Sequence, residues 1–142
     1  MSVHDRILIP VALDHEAIVA PKIERARGLL RPGGRITLLT VLEAIPGFVA
    51  EFVTVRSENH LSARVKERLE TAARGADDID CMVTTGKPGH EIARVAGEIG
   101  ADLVIVGARG AGEHDHRLGS TATRAVRRAP CSVYVWRAPA GG

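Results

Sequence analysis

The sequence predicts a doubly wound, Rossmann-like α/β fold: one five-stranded parallel sheet sandwiched by helices. Three observations predict it. Short apolar runs of strand length alternate with amphipathic stretches of helical length along the chain. The runs are apolar at nearly every position, as strands are when both faces are covered. Glycine- or proline-containing breaks separate the two kinds of segment. Parallel neighbours need a crossover, and right-handed crossovers place helices on both faces of the sheet.

Ile7-Leu8-Ile9-Pro10-Val11 is the first strand. Asp14 can cap a helix over about His15 to Leu30, which Arg31-Pro32-Gly33-Gly34 ends. Arg35 to Leu42 is the second strand, and Glu43 to Arg56 is irregular, holding Pro46, Gly47, Phe48 and Phe52. A helix from about Ser57 to Arg74 places Leu61, Val65, Leu69 and Ala72 on one face, and Gly75 closes it. The third strand is Ile79 to Thr84. Gly86-Lys87-Pro88-Gly89 then leads to a helix from His90, with Ile92, Val95, Ala96 and Ile99 at the spacing of a buried stripe and Gly100 at its end. Asp102 to Val106 is the fourth strand. Ser120 starts the last helix, with Ala122, Ala125, Val126 and Ala129 inward, and Pro130 stops it. Ser132 to Trp136 is the final strand, and Arg137 to Gly142 reads as a frayed tail.

No linker, internal repeat or low-complexity tract divides residues 1–142, so the expectation is a single domain. A chain of this size buries roughly two-thirds of its unfolded surface, enough for a core without metal or disulfide staples. Phe48, Phe52, Tyr134 and Trp136 are the whole aromatic supply, which argues against base stacking on aromatic platforms. Nineteen basic residues are interleaved with 17 acidic ones for a formal charge of +2, again pointing away from nucleic acid. Cys81 and Cys131 lack a C-x-x-C partner and sit in strand-like runs, where they read as buried structural thiols. Residues 1–6 are polar, the run from Ile7 to Leu13 lacks a small-residue cleavage site, and no apolar stretch approaches the ~20 residues of a membrane span. The expected location is the cytoplasm, with no membrane partner.

Ligands of open parallel sheets sit at the carboxyl ends of the strands, near the point where strand order reverses. That singles out Pro10 to Asp14, Val41 to Pro46 and Gly107 to Ser120. The last is built like a phosphate cradle. Gly107, Gly110, Gly112 and Gly119 let backbone N–H groups approach an anion, and the helix that follows offers unpaired donors at its N-terminus. Ser120 and Thr121 add hydroxyls, and Arg109 and Arg117 carry charge suited to phosphate. Neither familiar nucleotide loop is present: no lysine lies between Gly107 and Thr121, and Asp115 stands where a dinucleotide fingerprint needs its third glycine.

Ile7-Leu8-Ile9-Pro10-Val11, Gly86-Lys87-Pro88 leading to Glu91-Ile92, Ala101 to Gly107, and Gly119-Ser120 followed by Ala129-Pro130-Cys131-Ser132-Val133 together resemble the universal stress protein family over nearly the whole chain. Its nucleotide-binding members carry Gly-x2-Gly-x9-Gly-(Ser/Thr). Gly107, Gly110 and Gly119-Ser120 match that pattern, with eight residues instead of nine between Gly110 and Gly119. The resemblance implies a dimer and, in one subgroup, ATP, with or without Mg²⁺. Backbone at Val41 would then meet adenine, the Gly107 to Gly110 turn and Gly119-Ser120 would hold ribose and phosphates, and Pro10-Val11-Ala12 would close the pocket. The family usually has an Asp two residues after the proline, where this chain has Ala12. The alternative is an interaction protein of the same family that dimerises without binding nucleotide.

Plainer roles stand beside these. Ser120 serves as a helix N-cap or as a phosphate contact. Asp14 reads as a helix cap, Phe48 and Phe52 as a lid or as packing under a loop, and His114-Asp115-His116 as a solvated loop without zinc spacing. His60 and His90 sit at helix starts. On the last strand Tyr134 and Trp136 face one way and Val133 and Val135 the other, making the aromatics a dimer seam or core residues. No nucleophile is paired with a base and no carboxylates cluster, so at most slow ATP hydrolysis or self-phosphorylation at Ser120 or Thr121 is expected. A pyrophosphatase-type loop after the first strand is excluded by Pro10-Val11-Ala12-Leu13-Asp14.

Overall fold

A computed structural model of the chain describes residues 3–12, 19–43, 55–108 and 118–138. Its strands are β1 (His4–Pro10), β2 (Leu30–Leu42), β3 (Ile79–Thr85), β4 (Leu103–Gly107) and β5 (Ser132–Trp136). Its helices, among the described residues, are α1 (Val19–Leu29), α2 (Val55–Ala73), α3 (Pro88–Ile99) and α4 (Ser120–Arg128). Every strand pairing is parallel and the order is β3-β2-β1-β4-β5. The expected doubly wound sheet is present, and strand order reverses between β1 and β4.

Alternation of side chains divides the apolar residues between two cores. Ile7, Ile9 and Val11 join Ile36, Leu38 and Ile105 under α1 and α2, which contribute Val19, Ile23, Leu69 and Ala73. Leu8, Leu39, Val104 and Val106 face α3 and α4, packing on Ile92, Val95, Ala122 and Ala125. Both faces of the central strands are therefore dry, which is why Ile7, Leu8 and Ile9 form an unbroken apolar run.

Registers open the sheet at one place. β1 pairs with β2 as far as Pro10↔Leu39, but with β4 only at Ile7↔Leu103 and Leu8↔Val104. Beyond Val104, β4 pairs solely with β5, through Gly107↔Trp136. Pro10 has no N–H to donate to a neighbouring strand. The two central strands thus part before their carboxyl ends, leaving a crevice at the reversal point.

Several boundaries differ from the sequence expectation. β2 begins at Leu30, not Arg35, because Leu30 already pairs with His4. A register shift between His4 and Arg6 absorbs Arg31 to Gly34, with Gly33 in the left-handed region at φ 82°. α3 begins at Pro88, where proline's fixed φ suits a first turn, and ends at Gly100, whose left-handed backbone returns its N–H to Ala96 and Gly97. Leu61 and Val126, expected inward, are about half exposed. Val65, one turn after Leu61, is level with Val11 and Ala12 at the end of β1, so Leu61 projects past the sheet. Val126 falls on the flank of α4, whose inward line is Ala122 and Ala125. Cys81 and Cys131 are half-buried, in different cores, and unpaired. Burial pushes both thiols above the usual range.

Candidate functional site

The two ends of the sheet differ in how their polar groups are used. At the amino ends, charges are matched: Arg27 makes a two-pronged pair with Asp78 at 2.7 and 3.1 Å, and Arg35 does the same with Asp80 at 2.9 and 2.8 Å. The Arg27 guanidinium holds Asp78 below the ordinary carboxylate range, and Arg35 does so for Asp80. Asp102 receives His4 Nδ1 at 3.0 Å and the Asp5 amide at 2.7 Å.

At the carboxyl ends, the walls of the β1–β4 crevice are built from three of the segments that the sequence singles out. Val11 is fixed to β2 at both of its backbone groups. Its N–H donates to Leu39 O at 2.7 Å, and its carbonyl accepts the buried Thr40 hydroxyl at 2.8 Å. Val11 is therefore a wall residue, with Pro10 half-buried before it and Ala12 exposed after it. Thr40 is a strut that sequence reasoning missed, since one threonine in an apolar run carries no spacing signal. Because Leu39 turns its carbonyl toward β1 and Leu42 turns its own toward Gly86 beyond β3, Val41 directs its backbone toward the β1 side. Pairing with β1 has ended by then, so that backbone borders the crevice.

The third wall is the β4–α4 junction. Gly107 is the last residue of β4, and the Ala108 amide donates to Trp136 O at 2.9 Å. Gly119 N–H then donates to Ala108 O at 2.7 Å, which seats the N-terminus of α4 against the end of β4. The cap is Gly119 and not Ser120: Gly119 has extended backbone (φ −66°, ψ 164°) and no side chain to bond the first-turn amides. Ser120 is the first helical residue, exposed like Thr121. The first-turn donors and the positive end of the helix dipole accordingly remain available to an anion. Arg109, Gly110, Arg117, Asp14, Phe48, Phe52 and His114 to His116 lie outside the described residues.

A turn beside this site is locked by charge. Gly86 (φ 151°) lies over the Glu91 side chain, and a Cβ there would come within 3.0 Å of Glu91 Cγ. Arg94 grips both Glu91 oxygens at 2.9 and 2.8 Å and holds that carboxyl below its usual range. The buried Thr84 hydroxyl also favours the carboxylate, though it makes no hydrogen bond of good geometry. This Glu91–Arg94 clamp was not singled out from the sequence.

As a test for Mg²⁺, the described ends of β1 and β4 are Pro10 to Ala12 and Gly107-Ala108, which offer no carboxylate. No group of three metal-ligating side chains occurs among the described residues. A protein-held Mg²⁺ does not fit these residues.

A parallel sheet whose central pairing stops at its reversal point, with a helix N-terminus seated beside that point, defines a doubly wound α/β protein. Residues 4–137 match the profile of the universal stress protein family. Universal stress protein G of Shigella flexneri is 31% identical over 140 residues, covering 92% of this chain and 97% of that protein. The chain belongs to the universal stress protein family. Among solved structures, a universal stress protein in complex with cAMP superposes with a TM-score of 0.61 at 19% identity, over 95% of this chain and 98% of that one. The universal stress protein of Archaeoglobus fulgidus in complex with dAMP gives a TM-score of 0.61 at 15% identity, over 92% and 95% of the two chains. Among the described residues no helix is long and apolar enough to cross a membrane.

Proposed function

We propose that the protein is a cytoplasmic stress-response module that binds an adenine nucleotide, ATP, in the β1–β4 crevice and acts as a dimeric regulator. The observation that carries this reading is the uncapped N-terminus of α4, held by the Gly119–Ala108 hydrogen bond at the mouth of the crevice. Amides of Ser120 and Thr121 meet phosphate, and Gly107, Arg109 and Gly110 complete that side. Adenine lies toward the Val41 backbone, with Pro10, Val11 and Ala12 behind it. Relatives solved with cAMP and dAMP support the nucleotide class. Mg²⁺, where present, rides on the phosphates. Nucleotide state alters the surrounding loops and thereby the partners engaged, and no catalytic role is assigned. Denaturing the purified protein and chromatographing the supernatant tests this directly. Adenine nucleotide is released if the reading is right; the absence of release together with the absence of a thermal shift on adding ATP and Mg²⁺ sinks it.

The dimer forms through β5, an edge strand whose Tyr134 and Trp136 are half-buried on the α1 side. Ala12, exposed where the family usually has an Asp, favours a second reading in which the protein dimerises and binds no nucleotide. Under that reading Gly119→Val leaves function and melting with ATP unchanged.

A further inference from the structure

Charge is nearly balanced over the whole chain, 19 basic residues against 17 acidic. Elsewhere the balance is local. At the amino ends of the sheet Arg27, Arg31 and Arg35 each hold an aspartate, and on α3 Arg94 holds Glu91 and Glu98. α2 intersperses Glu67 and Glu70 among Arg64, Lys66 and Arg68. The carboxyl-terminal part of the sequence breaks the pattern. From Leu118 onward its charged side chains are Arg124, Arg127, Arg128 and Arg137, and no Asp or Glu occurs.

Three of these arginines lie on α4. Its inward line is Ala122 and Ala125, whereas Arg124, Arg127 and Arg128, at i, i+3 and i+4, make one exposed patch turned away from that line. No carboxylate among the described residues pairs with any of the three. Arg127 and Arg128 stand in the last turn, where the negative end of the helix dipole favours a cation. Arg124 has no such reason: it is a turn earlier, at the i, i+4 spacing from Arg128 where like charges repel. Its stem packs against Gly89 at the start of α3, where a Cβ would lie 2.6 Å from Arg124 Cβ and 2.8 Å from its Cδ. Lys87 and His90, flanking that contact on α3, are exposed as well. The patch is therefore of one sign across two helices, and half-exposed Val126 adds an apolar flank.

Its size and setting say what it fits. Arg124 and Arg128 are about 6 Å apart along the helix axis, too short a run to follow a nucleic-acid backbone, where affinity comes from many phosphate contacts. A helix that lies in a membrane surface needs a free apolar face, and that of α4 is packed on the sheet. Guanidinium groups match carboxylates two prongs to two, as Arg27, Arg35 and Arg94 do within this chain.

We propose that the outer face of α4 docks an acidic segment of a partner protein, one that presents carboxylates along one side of a helix and an aliphatic side chain to Val126. This goes beyond the nucleotide reading and needs no bound nucleotide. The surface lies on the opposite face of the sheet from Tyr134 and Trp136, so a dimer along β5 leaves it open.

The test is an amide chemical-shift titration of the full chain with an alanine-based peptide carrying glutamate at i, i+3, i+4 and i+7 and one leucine beside them. Shifts should centre on Arg124 to Arg128, and a shuffled peptide whose glutamates share no face should bind more weakly. Arg124→Gln with Arg127→Gln and Arg128→Gln should weaken binding roughly 10-fold, the order expected of three surface ion pairs. Raising salt from about 0.05 to 0.5 M should weaken it further. Arg25→Gln with Arg64→Gln and Lys66→Gln, which removes equal charge elsewhere, should leave it unchanged. If Arg124→Gln disturbs the packing on α3, the Arg127→Gln, Arg128→Gln pair carries the test. No binding by wild type, equal weakening in both triple variants, indifference to the glutamate pattern, or tighter binding of this face to duplex DNA or phosphatidylglycerol vesicles overturns the proposal.

Discussion

The amide of Gly119 lies 2.7 Å from the carbonyl oxygen of Ala108, so the start of α4 is bonded back to the end of β4 across the intervening residues. That bond sets the helix N-terminus beside the crevice. Since the Gly119 backbone is in the extended region (φ −66°, ψ 164°), a side chain is conformationally allowed there. Gly119→Val should keep the fold, lose about 1 kcal/mol because valine is a poor N-cap, and place a Cβ among the first-turn amides. Nucleotide co-purification should disappear while circular dichroism stays native. Retained nucleotide would remove this helix terminus from the site.

Thr40 secures the other wall through its hydroxyl, 2.8 Å from Val11 O in a buried position. Thr40→Val preserves shape and leaves that carbonyl without its side-chain donor. A loss of about 1–3 kcal/mol is expected in urea denaturation, with Thr40→Ser recovering much of it. Hydrogen exchange at the Val11 amide should quicken in the valine variant. Equal stability of Thr40→Val and wild type would show that the strut is dispensable.

The fold was legible where burial on both faces left continuous apolar runs, as in Ile7 to Ile9 and Leu103 to Val106, and where Gly100 and Pro130 punctuate them. The start of β2 was not, because Arg31-Pro32-Gly33-Gly34 has turn chemistry and enters the sheet only through a register shift opposite His4. Spacing alone placed Leu61 and Val126 inward. It does not register where a helix passes the sheet's end or turns its flank outward. Gly107, Gly119 and Ser120 were legible as a cradle because glycines at a strand-to-helix junction have a specific backbone use. The capping role assigned to Ser120 belongs to Gly119, a one-residue difference that frees the serine.

Gly89 lets α3 and α4 approach: a Cβ at this position would lie 2.6 Å from Arg124 Cβ and 2.8 Å from its Cδ. A displaced Cδ is easily accommodated by a flexible side chain, but Cβ moves only with the helix. Gly89→Val should therefore shift α4 and lower stability by about 1–3 kcal/mol, the usual range for overpacking. Arg124→Ala would not relieve it, because alanine retains Cβ, whereas Arg124→Gly should. Rescue by both replacements alike would mean that the guanidinium end of Arg124 is the obstacle.

Acid stability follows from two carboxylate–arginine pairs at the amino ends of the sheet and one beside its carboxyl ends. Asp78 and Asp80 have folded pKa values below the ordinary 3.8, through Arg27 and Arg35 respectively, and Glu91 lies below its ordinary 4.5 through Arg94. The unfolded chain then binds more protons than the folded one near pH 4, so stability rises with pH there. This contribution is fully present above the ordinary carboxylate range and is lost as pH falls through the lowered values. The Asp78 and Asp80 pairs are exposed, so each contributes modestly, whereas the Glu91 side chain is buried. Melting temperature should be level around neutrality and fall below about pH 4. Asp78→Asn with Asp80→Asn should flatten that fall, and an unchanged slope would mean that other carboxylates govern it.

β5 ends the sheet, and its outer edge has no strand among those described. Exposed edges pair readily with another strand, and aromatic side chains are favoured at interfaces. Tyr134 and Trp136 alternate with Val133 and Val135, so one aromatic pair projects from the α1 face while the valines pack toward α4. If two copies join along β5, an aspartate at Tyr134 or Trp136 desolvates a charge at the seam and should halve the mass measured by light scattering. Ser132→Asp, on the exposed first residue of β5, is the control for adding charge to this edge away from the aromatics. Wild-type protein that runs as a monomer at tens of micromolar would refute the seam. In that case the two aromatics are satellites of the α1 core, and Trp136→Asp should lower thermal stability without changing mass.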